Sequence, residues 1–218
     1  MPTWPLQPLI LPKLEILIME IGEGYSVEGV HDLARWYLPA LRMLGVHHYS
    51  TELKLGVFRP IATKVEALSI VYSGPGYHRN YRLGLAIFEN FPTLRLLFIH
   101  DAPFIVSDPV PIGHPLTEVH LSNSGATDPV TLLESTRVDH GGFDHKVRFM
   151  VDSSTWREFR SKFSSDQGLQ LLVDRHRSLN MEVVDKLGRS FEEYTRDRDI
   201  KYRFSLINTH LRGVSSAR

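Results

Sequence analysis

The sequence contains no cysteine among its 218 residues. Disulfide bonds, thiolate zinc sites and cysteine nucleophiles are therefore excluded, and a reducing compartment becomes the default expectation. The chain also lacks an excess of either charge, because 25 basic residues balance 25 acidic residues. A balanced chain has no broad positive field to attract phosphate backbones, so we expect no nucleic-acid partner.

Long hydrophobic runs are also missing, since no uninterrupted apolar segment approaches the ~20 residues needed to cross a bilayer. The apolar N-terminal stretch, residues 1–19, has no basic segment ahead of it. Pro5, Pro8 and Pro12 would interrupt the helix of a signal peptide there. We therefore expect no membrane partner and no secretion signal, and we predict a cytoplasmic or nuclear protein.

What the sequence does contain is a recurring phrase, L-x-x-L-x-L, with other apolar residues allowed at the L positions. Its copies begin 27, 24, 29 and 22 residues apart. Leucine-rich repeats recur every ~20–29 residues, and each repeat has one short strand and one helical or irregular return. The pattern predicts an α/β fold, namely a short irregular leucine-rich-repeat solenoid with a parallel strand ladder and outer helices. The five clear copies occupy residues 14–19, 41–46, 65–70, 94–99 and 116–121.

Helix signals fall between these copies, where a solenoid places its outer layer. Residues 27–37 carry apolar side chains at helical spacing after Ser26, a residue type that caps helix N-termini well. Asp128-Pro129 is a typical helix start, with a capping aspartate and a proline at the first helical position. Both segments are predicted to begin helices on the outer side.

Beyond the fifth copy the phrase degrades, although residues 147–151 and 179–183 still alternate like strands. Between them, Thr155-x-x-Glu158 is a capping box that predicts a helix start. We interpret these segments as atypical terminal repeats, which close the end of a solenoid core against water. The predicted leucine-rich-repeat-like domain therefore spans residues 1–185.

The remaining residues, 186–218, are predicted to form a charged closing helix and a polar tail. A second capping box, Ser190-x-x-Glu193, marks the start of that helix. From Lys186 onward the chain is modestly basic, which a solvated closing element explains better than contact with nucleic acid.

The phrase also predicts which side chains face the core. Its consensus residues should point inward and stack as one ladder, formed by Leu17, Leu44, Leu68, Leu97 and Val119. Strand side chains alternate, so residues between the consensus positions should point to the concave side. The predicted partner-binding residues on that side are Ile16, Ile18, Met43, Leu96, Phe98, His100, Glu118, His120 and Arg148, with Gly45, Ser69 and Asp152 in the same strip.

Solvent-facing apolar residues in a row are typical of a surface that is covered by something else. We therefore predict a protein–protein interaction module that binds a protein partner on its concave face. Phe98 lies at the middle of the strip, and large rigid aromatic residues often anchor interfaces, so Phe98 is the predicted anchor.

Five segments together resemble the C-terminal repeat region of fungal F-box/leucine-rich-repeat proteins over about residues 8–185; they are LPKLEILIM, LPALRMLGV, FPTLRLLFIHDAPF, HPLTEVHLSNS and DPVTLLES. The resemblance implies the substrate-recognition arm of an F-box-type ubiquitin ligase, in which an F-box engages an adaptor and the repeats hold the target. No F-box segment is recognisable ahead of Leu14. A ligase adaptor is therefore an expected partner only if an F-box lies upstream.

One loop motif suggests a different class of protein. His140-Gly-Gly-Phe-Asp144-His145 places two imidazoles and a carboxylate close together, and such groups ligate zinc. The alternative function is accordingly a small α/β metal-dependent hydrolase with a loop site around His120, His140, Asp144 and His145. A polar glycine-containing loop explains the motif better than a metal site does, and no G-x-S-x-G or P-loop motif occurs. We therefore predict no enzyme, no catalytic residues, no metal site and no cofactor.

Overall fold

The computed structural model describes residues 8–21, 33–48, 55–72, 87–100, 102, 104–106, 109–122, 129–152, 155–163 and 166–198. Most of the helix predicted after Ser26 lies outside these residues, and so do Asp128 and the polar tail beyond residue 198. Residues 33–35 form one 3₁₀ turn, and Tyr37 pairs with Ile10 in a parallel β-bridge. The helix predicted over residues 27–37 therefore does not extend to Tyr37.

Seven parallel strands form one sheet, and they lie side by side in chain order. They are β1 (Ile16–Ile21), β2 (Met43–His48), β3 (Ala67–Tyr72), β4 (Leu96–His100), β6 (Glu118–Ser122), β8 (Val147–Val151) and β9 (Met181–Asp185). The two remaining strands, β5 (Ile105–Val106) and β7 (Arg137–Val138), pair in parallel as a separate small sheet. The fold is α/β, and over the described residues the large sheet does not close into a barrel, because β1 and β9 do not pair with each other.

The recurring phrase predicts the strand positions correctly. Each of the first four long strands, and β6, begins two residues after the first apolar residue of its copy. That first residue lies in the turn that precedes the strand, and Leu41, Val65, Leu94 and Leu116 are fully buried there. The apolar side chain in each turn therefore holds the connection between two strands against the core before the next strand begins.

Helices of four to twelve residues occupy several of the connections. They are α1 (Arg59–Ala62), α2 (Ile87–Asn90), α3 (Pro129–Ser135), α4 (Trp156–Lys162), α5 (Asp166–Arg177) and α6, residues 191–198. Their apolar side chains, including Phe88, Leu133 and Trp156, belong to the same buried cluster as the inward-facing strand residues. Among the described residues no helix has the length and apolarity needed to cross a membrane.

Both predicted capping boxes form. At α4 the Thr155 side chain accepts a hydrogen bond from the Glu158 amide, while the Glu158 carboxylate accepts one from the Thr155 amide at 2.6 Å. At α6 the Ser190 amide donates to the Glu193 carboxylate at 2.8 Å, and the Glu193 amide donates to the Ser190 hydroxyl at 3.2 Å. These reciprocal bonds satisfy amide groups that a helix N-terminus otherwise leaves without partners.

The predicted ladder lies in register across the sheet. Leu17, Leu44, Leu68, Leu97 and Val119 are paired strand to strand, and the row continues through Phe149 and Val183. From Leu44 to Phe149 every member of the row is 0% exposed. A continuous row of apolar side chains at one level therefore forms the centre of the core.

The two edges of the sheet differ. Next to β9 the chain turns back on itself, so that Val184 and Ser190 form an antiparallel bridge before α6 begins. Met181 and Val183 are buried at this edge. On β1 the burial pattern alternates between exposed and half-buried, and even the core-facing Leu17 is only half-buried.

Asp185 stabilises the turn beside β9, although it occupies a level where the strands from β2 to β8 of the large sheet have valine, isoleucine or leucine. Its side chain is 0% exposed. The carboxylate accepts hydrogen bonds from the amides of Leu187 at 3.0 Å and Arg189 at 3.1 Å, and it pairs with the Arg189 guanidinium at 2.9 Å. It also accepts a bond from the Trp156 amide at 3.3 Å. A buried charge is stable when it is paired and hydrogen-bonded in this way.

Candidate functional site: the open face of the sheet

One face of the sheet packs against the helices, and we call the opposite face the open face. The alternation of side chains places three rows of residues on it. The first row is Ile16, Met43, Ala67, Leu96, Glu118, Arg148 and Glu182; the second is Ile18, Gly45, Ser69, Phe98, His120, Met150 and Val184; the third is Glu20, His47, Val71, His100 and Ser122, with Asp152 after β8. All nine predicted partner-binding residues lie on this face.

The part of the open face on β1 to β4 is largely apolar. Ile16 is 55% exposed and Ile18 is 77% exposed, while Phe98 is half-buried. Gly45 and Ser69 lie between Ile18 and Phe98 at the same level, so two small residues separate the two large apolar side chains. A Cβ atom on Gly45 would lie only 3.2 Å from Ile18 Cγ1, so the absence of a side chain there lets Ile18 pack close to β2.

The part of the open face on β6 and β8 is polar and centres on His120. Its Nε2 atom lies 3.1 Å from the Glu118 carboxylate, and its Nδ1 atom lies 3.3 Å from the Asp152 carboxylate. The hydrogen bond to Asp152, assisted by Glu118, raises the pKa of His120 above its ordinary value, although partial burial opposes the shift. Glu118 also lies 3.8 Å from the Arg148 guanidinium.

Phe98 joins the apolar and polar parts. Its ring centroid lies 4.7 Å from that of His120, with the two planes inclined at 37°. A protonated imidazole near the face of an aromatic ring is attracted to it, so the two carboxylates that favour protonation also favour this contact. On the neighbouring level, Ser122 and His100 are joined by a hydrogen bond between Oγ and Nδ1. Phe98 is therefore held in place on a surface that stays partly exposed.

The predicted histidine loop has a different arrangement. His145 Nδ1 lies 2.7 Å from the Asp144 carboxylate, and its Nε2 lies 2.6 Å from the Leu116 carbonyl oxygen. The other Asp144 oxygen accepts a hydrogen bond from the Gly113 amide at 2.6 Å. The bond to Asp144 raises the pKa of His145, and the imidazolium can then donate from both nitrogens. The pair links two consecutive turns at the edge where the strands begin.

The four residues of the alternative hydrolase site therefore do not form one bonded cluster. His120 contacts Glu118 and Asp152, whereas Asp144 and His145 contact each other and the turn that precedes β6. His140 is exposed. Within the ranges that the structure describes, no three His, Asp or Glu side chains are grouped so that they could hold a metal ion.

A cavity of about 240 Å³ lies beside β9, between α5 and the start of α6. Its apolar lining includes Val173, Met181 and Phe191. The charged groups at its rim pair with each other: Lys146 lies 2.7 Å from Glu182, and Arg177 lies 2.6 Å from Glu192. The cavity includes none of the nine predicted binding residues.

Sequence reasoning missed some members of the open face. Met150, Ser122 and Glu182 lie in its rows but were not predicted as binding residues. The alternation that places Arg148 on this face also places Met150 there, and extending it to residues 181–185 would have found Glu182. The contact between His120 and Asp152 has no comparable signal, because it depends on the pairing of β6 with β8.

Comparison with known proteins gave no match to any protein-family model, any curated protein or any solved structure.

Proposed function

We propose that this chain is a protein-binding module of the leucine-rich-repeat type, and that it holds its partner on the open face. The observation that carries the proposal is Phe98, a half-buried aromatic residue held against His120 at the middle of a partly exposed face. Interface hot spots are enriched in aromatic residues that lie near the centre of the contact surface. The agreement between the recurring phrase and the strand register supports the repeat architecture.

The surface favours a partner segment with two kinds of side chain. An apolar side chain would contact Ile18 and Phe98, which lie at one level on either side of Gly45 and Ser69. A basic side chain would pair with the carboxylates of Glu118 and Asp152, which are respectively 33% and 35% exposed. Apolar contact supplies most of the affinity in such an arrangement, while the charges fix the orientation of the partner.

A narrower role follows from the resemblance to F-box/leucine-rich-repeat proteins. If the module is joined to an F-box, it would present substrates to a ubiquitin ligase in the cytoplasm or nucleus. Recovery of a ligase adaptor together with the chain would support this role. An open face that binds its partner without an adaptor would leave the module as a free-standing recognition domain.

The test is to recover partners by pull-down with the unmodified chain and then to measure the affinity of each purified partner by calorimetry. We expect Phe98→Ala to weaken binding by about 1–4 kcal/mol. That loss corresponds to a roughly 5- to 900-fold higher Kd. The matched control is Glu134→Ala, which removes an exposed side chain from α3 on the helical side.

Circular dichroism of both variants separates binding from folding. A folded Phe98→Ala variant that keeps every partner at full affinity would show that the open face is not the binding surface. If Phe98→Ala unfolds the chain, Phe98 belongs to the core and has no anchoring role. Loss of affinity in Glu134→Ala as well would place the partner elsewhere on the molecule.

A further inference from the structure

The outer edge of β1 has the properties of a strand that pairs with another chain. β1 pairs with β2 on one side, and no residue in the described part of the chain pairs with its other side. Its six residues, ILIMEI, include one charged side chain, Glu20, and no proline. Sheet edges that remain unpaired usually carry lysine, proline, a bulge or a covering element, which block addition of a further strand.

Both faces of β1 leave apolar surface accessible. Ile16 and Ile18 are exposed on the open face. On the core side, Leu17, Met19 and Ile21 are only half-buried, whereas their counterparts on β2, Leu44 and Val46, are at most 1% exposed. One more strand beside β1 would cover both sets of side chains, because each strand covers the flank of its neighbour.

We propose that β1 pairs with β1 of a second copy of this chain, in antiparallel orientation about a two-fold axis perpendicular to the sheet. Head-to-tail association, in which β1 of one copy pairs with β9 of the next, is disfavoured because the bridge between Val184 and Ser190 occupies the β9 edge. Pairing of β1 with itself is then the arrangement that closes, and it produces a dimer and no filament.

The composition of β1 suits pairing with itself. In a register centred on Leu17, Ile16 of one copy faces Ile18 of the other on the open face. Glu15 and Leu14, the two residues that precede the strand, then lie opposite Met19 and Glu20, so no acidic residue faces another acidic residue. Like charges directly opposite each other destabilise an antiparallel pair, whereas apolar pairs stabilise it. Two sheets of seven strands would thereby become one continuous sheet with both open faces on the same side.

The oligomeric state tests the proposal. Sedimentation velocity on the unmodified chain at about 1–100 µM, a range that reports Kd values in the micromolar region, should give twice the chain mass of 25.0 kDa. We expect Ile18→Lys to raise the dimer Kd at least about tenfold, because it places a charge in the apolar pair. Leu187→Lys is the matched control, since Leu187 is 62% exposed but lies next to β9. Ile16→Lys provides a second variant if Ile18→Lys does not fold.

A cross-link locates the interface directly, because the natural chain has no cysteine. Residues directly opposite each other in an antiparallel pair have Cα atoms about 4.5–5.5 Å apart, which a disulfide can span. Under mild oxidation, Leu17→Cys should form a covalent dimer and Leu187→Cys should not. Cross-linking by both variants, or by neither, would overturn the proposal.

Three further results would overturn it: a monomeric mass at every concentration, a dimer that Ile18→Lys leaves unchanged, or equal weakening by Leu187→Lys. Phe98→Ala should leave the dimer intact, because Phe98 lies three strands from the proposed interface. Failure of self-association is therefore distinguishable from failure of partner binding.

Discussion

The two faces of the sheet differ in how much the residue type varies from strand to strand. On the core face, the part of the central row from β2 to β8 contains only apolar residues, namely three leucines, a valine and a phenylalanine, all 0% exposed. On the open face, the corresponding row contains glycine, serine, phenylalanine, histidine and methionine. A close-packed core requires apolar side chains that together fill the space between the sheet and the helices, but packing places no such requirement on an open surface. The composition of the open face therefore reflects requirements other than packing.

The largest expected effect belongs to the core face. Leu97→Ala, in the middle of the central row, should lower the free energy of unfolding by about 2–5 kcal/mol, because it leaves a cavity that neighbouring strands cannot fill. Leu17→Ala should cost less, since Leu17 is half-buried on the edge strand. Chemical denaturation of both variants measures the difference. Equal and small losses would show that the row does not pack as a continuous ladder.

The buried carboxylate of Asp185 is a polar exception on the otherwise apolar core face. Asp185→Ala should lower the free energy of unfolding by about 2–4 kcal/mol, because it leaves buried amides and the Arg189 guanidinium without their acceptor. Asp174→Ala is the control, since that carboxylate makes hydrogen bonds on the exposed surface of α5. If the two variants lose equal stability, the turn beside β9 does not depend on its buried charge.

The open face should respond to pH through His120. Its folded-state pKa is raised by Asp152 and then by Glu118, so the interaction stabilises the fold fully below pH 6.5, the ordinary value, and this contribution is lost as the pH rises through the higher folded-state pKa. Arg148, next to Glu118, is the other charged group in the cluster. Titration of the His120 ring by NMR should give a pKa above 6.5 that falls in an Asp152→Asn variant. An unchanged value in that variant would contradict the assigned cause.

The smallest expected effect also concerns the open face. Gly45→Ala places a methyl group near Ile18, but Ile18 is 77% exposed and can move aside. The variant should therefore be stabilised by about 0.5 kcal/mol, since glycine in a strand costs more conformational entropy than alanine. Thermal unfolding would detect the change. A marked loss of stability would mean that Ile18 is held firmly over β2, contrary to the comparison between the two faces.

Local patterns in the sequence were sufficient to predict β1 to β4, β6 and β8, the two faces of the sheet and the register of the central row from β1 to β6. The last predicted strand, residues 179–183, was misplaced, because β9 begins two residues later, at Met181. The apolar phrase fixes which side chains of β1 to β4 and β6 are inward, and the capping boxes at Thr155 and Ser190 need only residues three positions apart. β5 and β7 could not be predicted, because two-residue strands carry no periodicity. The role of Asp185 could not be predicted either. Its carboxylate accepts hydrogen bonds from Trp156 and Arg189, which contact it only in the folded chain.

For the candidate site, the sequence was sufficient to predict which residues share the open face but not which of them contact each other. Alternation alone placed Phe98, His100 and His120 on one face. It could not show that His120 lies between two carboxylates, because Asp152 follows β8, a strand separated from β6 by α3 and β7. Sequence reasoning therefore identified the surface but not the interactions that hold its central aromatic residue in place.

The order of the strands also determines how the chain would respond to mechanical force. Each strand in the large sheet pairs only with the strands immediately before and after it in that sheet, so under tension on the two ends the strands can separate one after another from the edges. Among the described residues β1 pairs with β2 alone, whereas β9 is backed by the Asp185 turn and α6. In a single-molecule pulling experiment we would expect β1 to detach first, in small successive steps, and the β9 end to yield last.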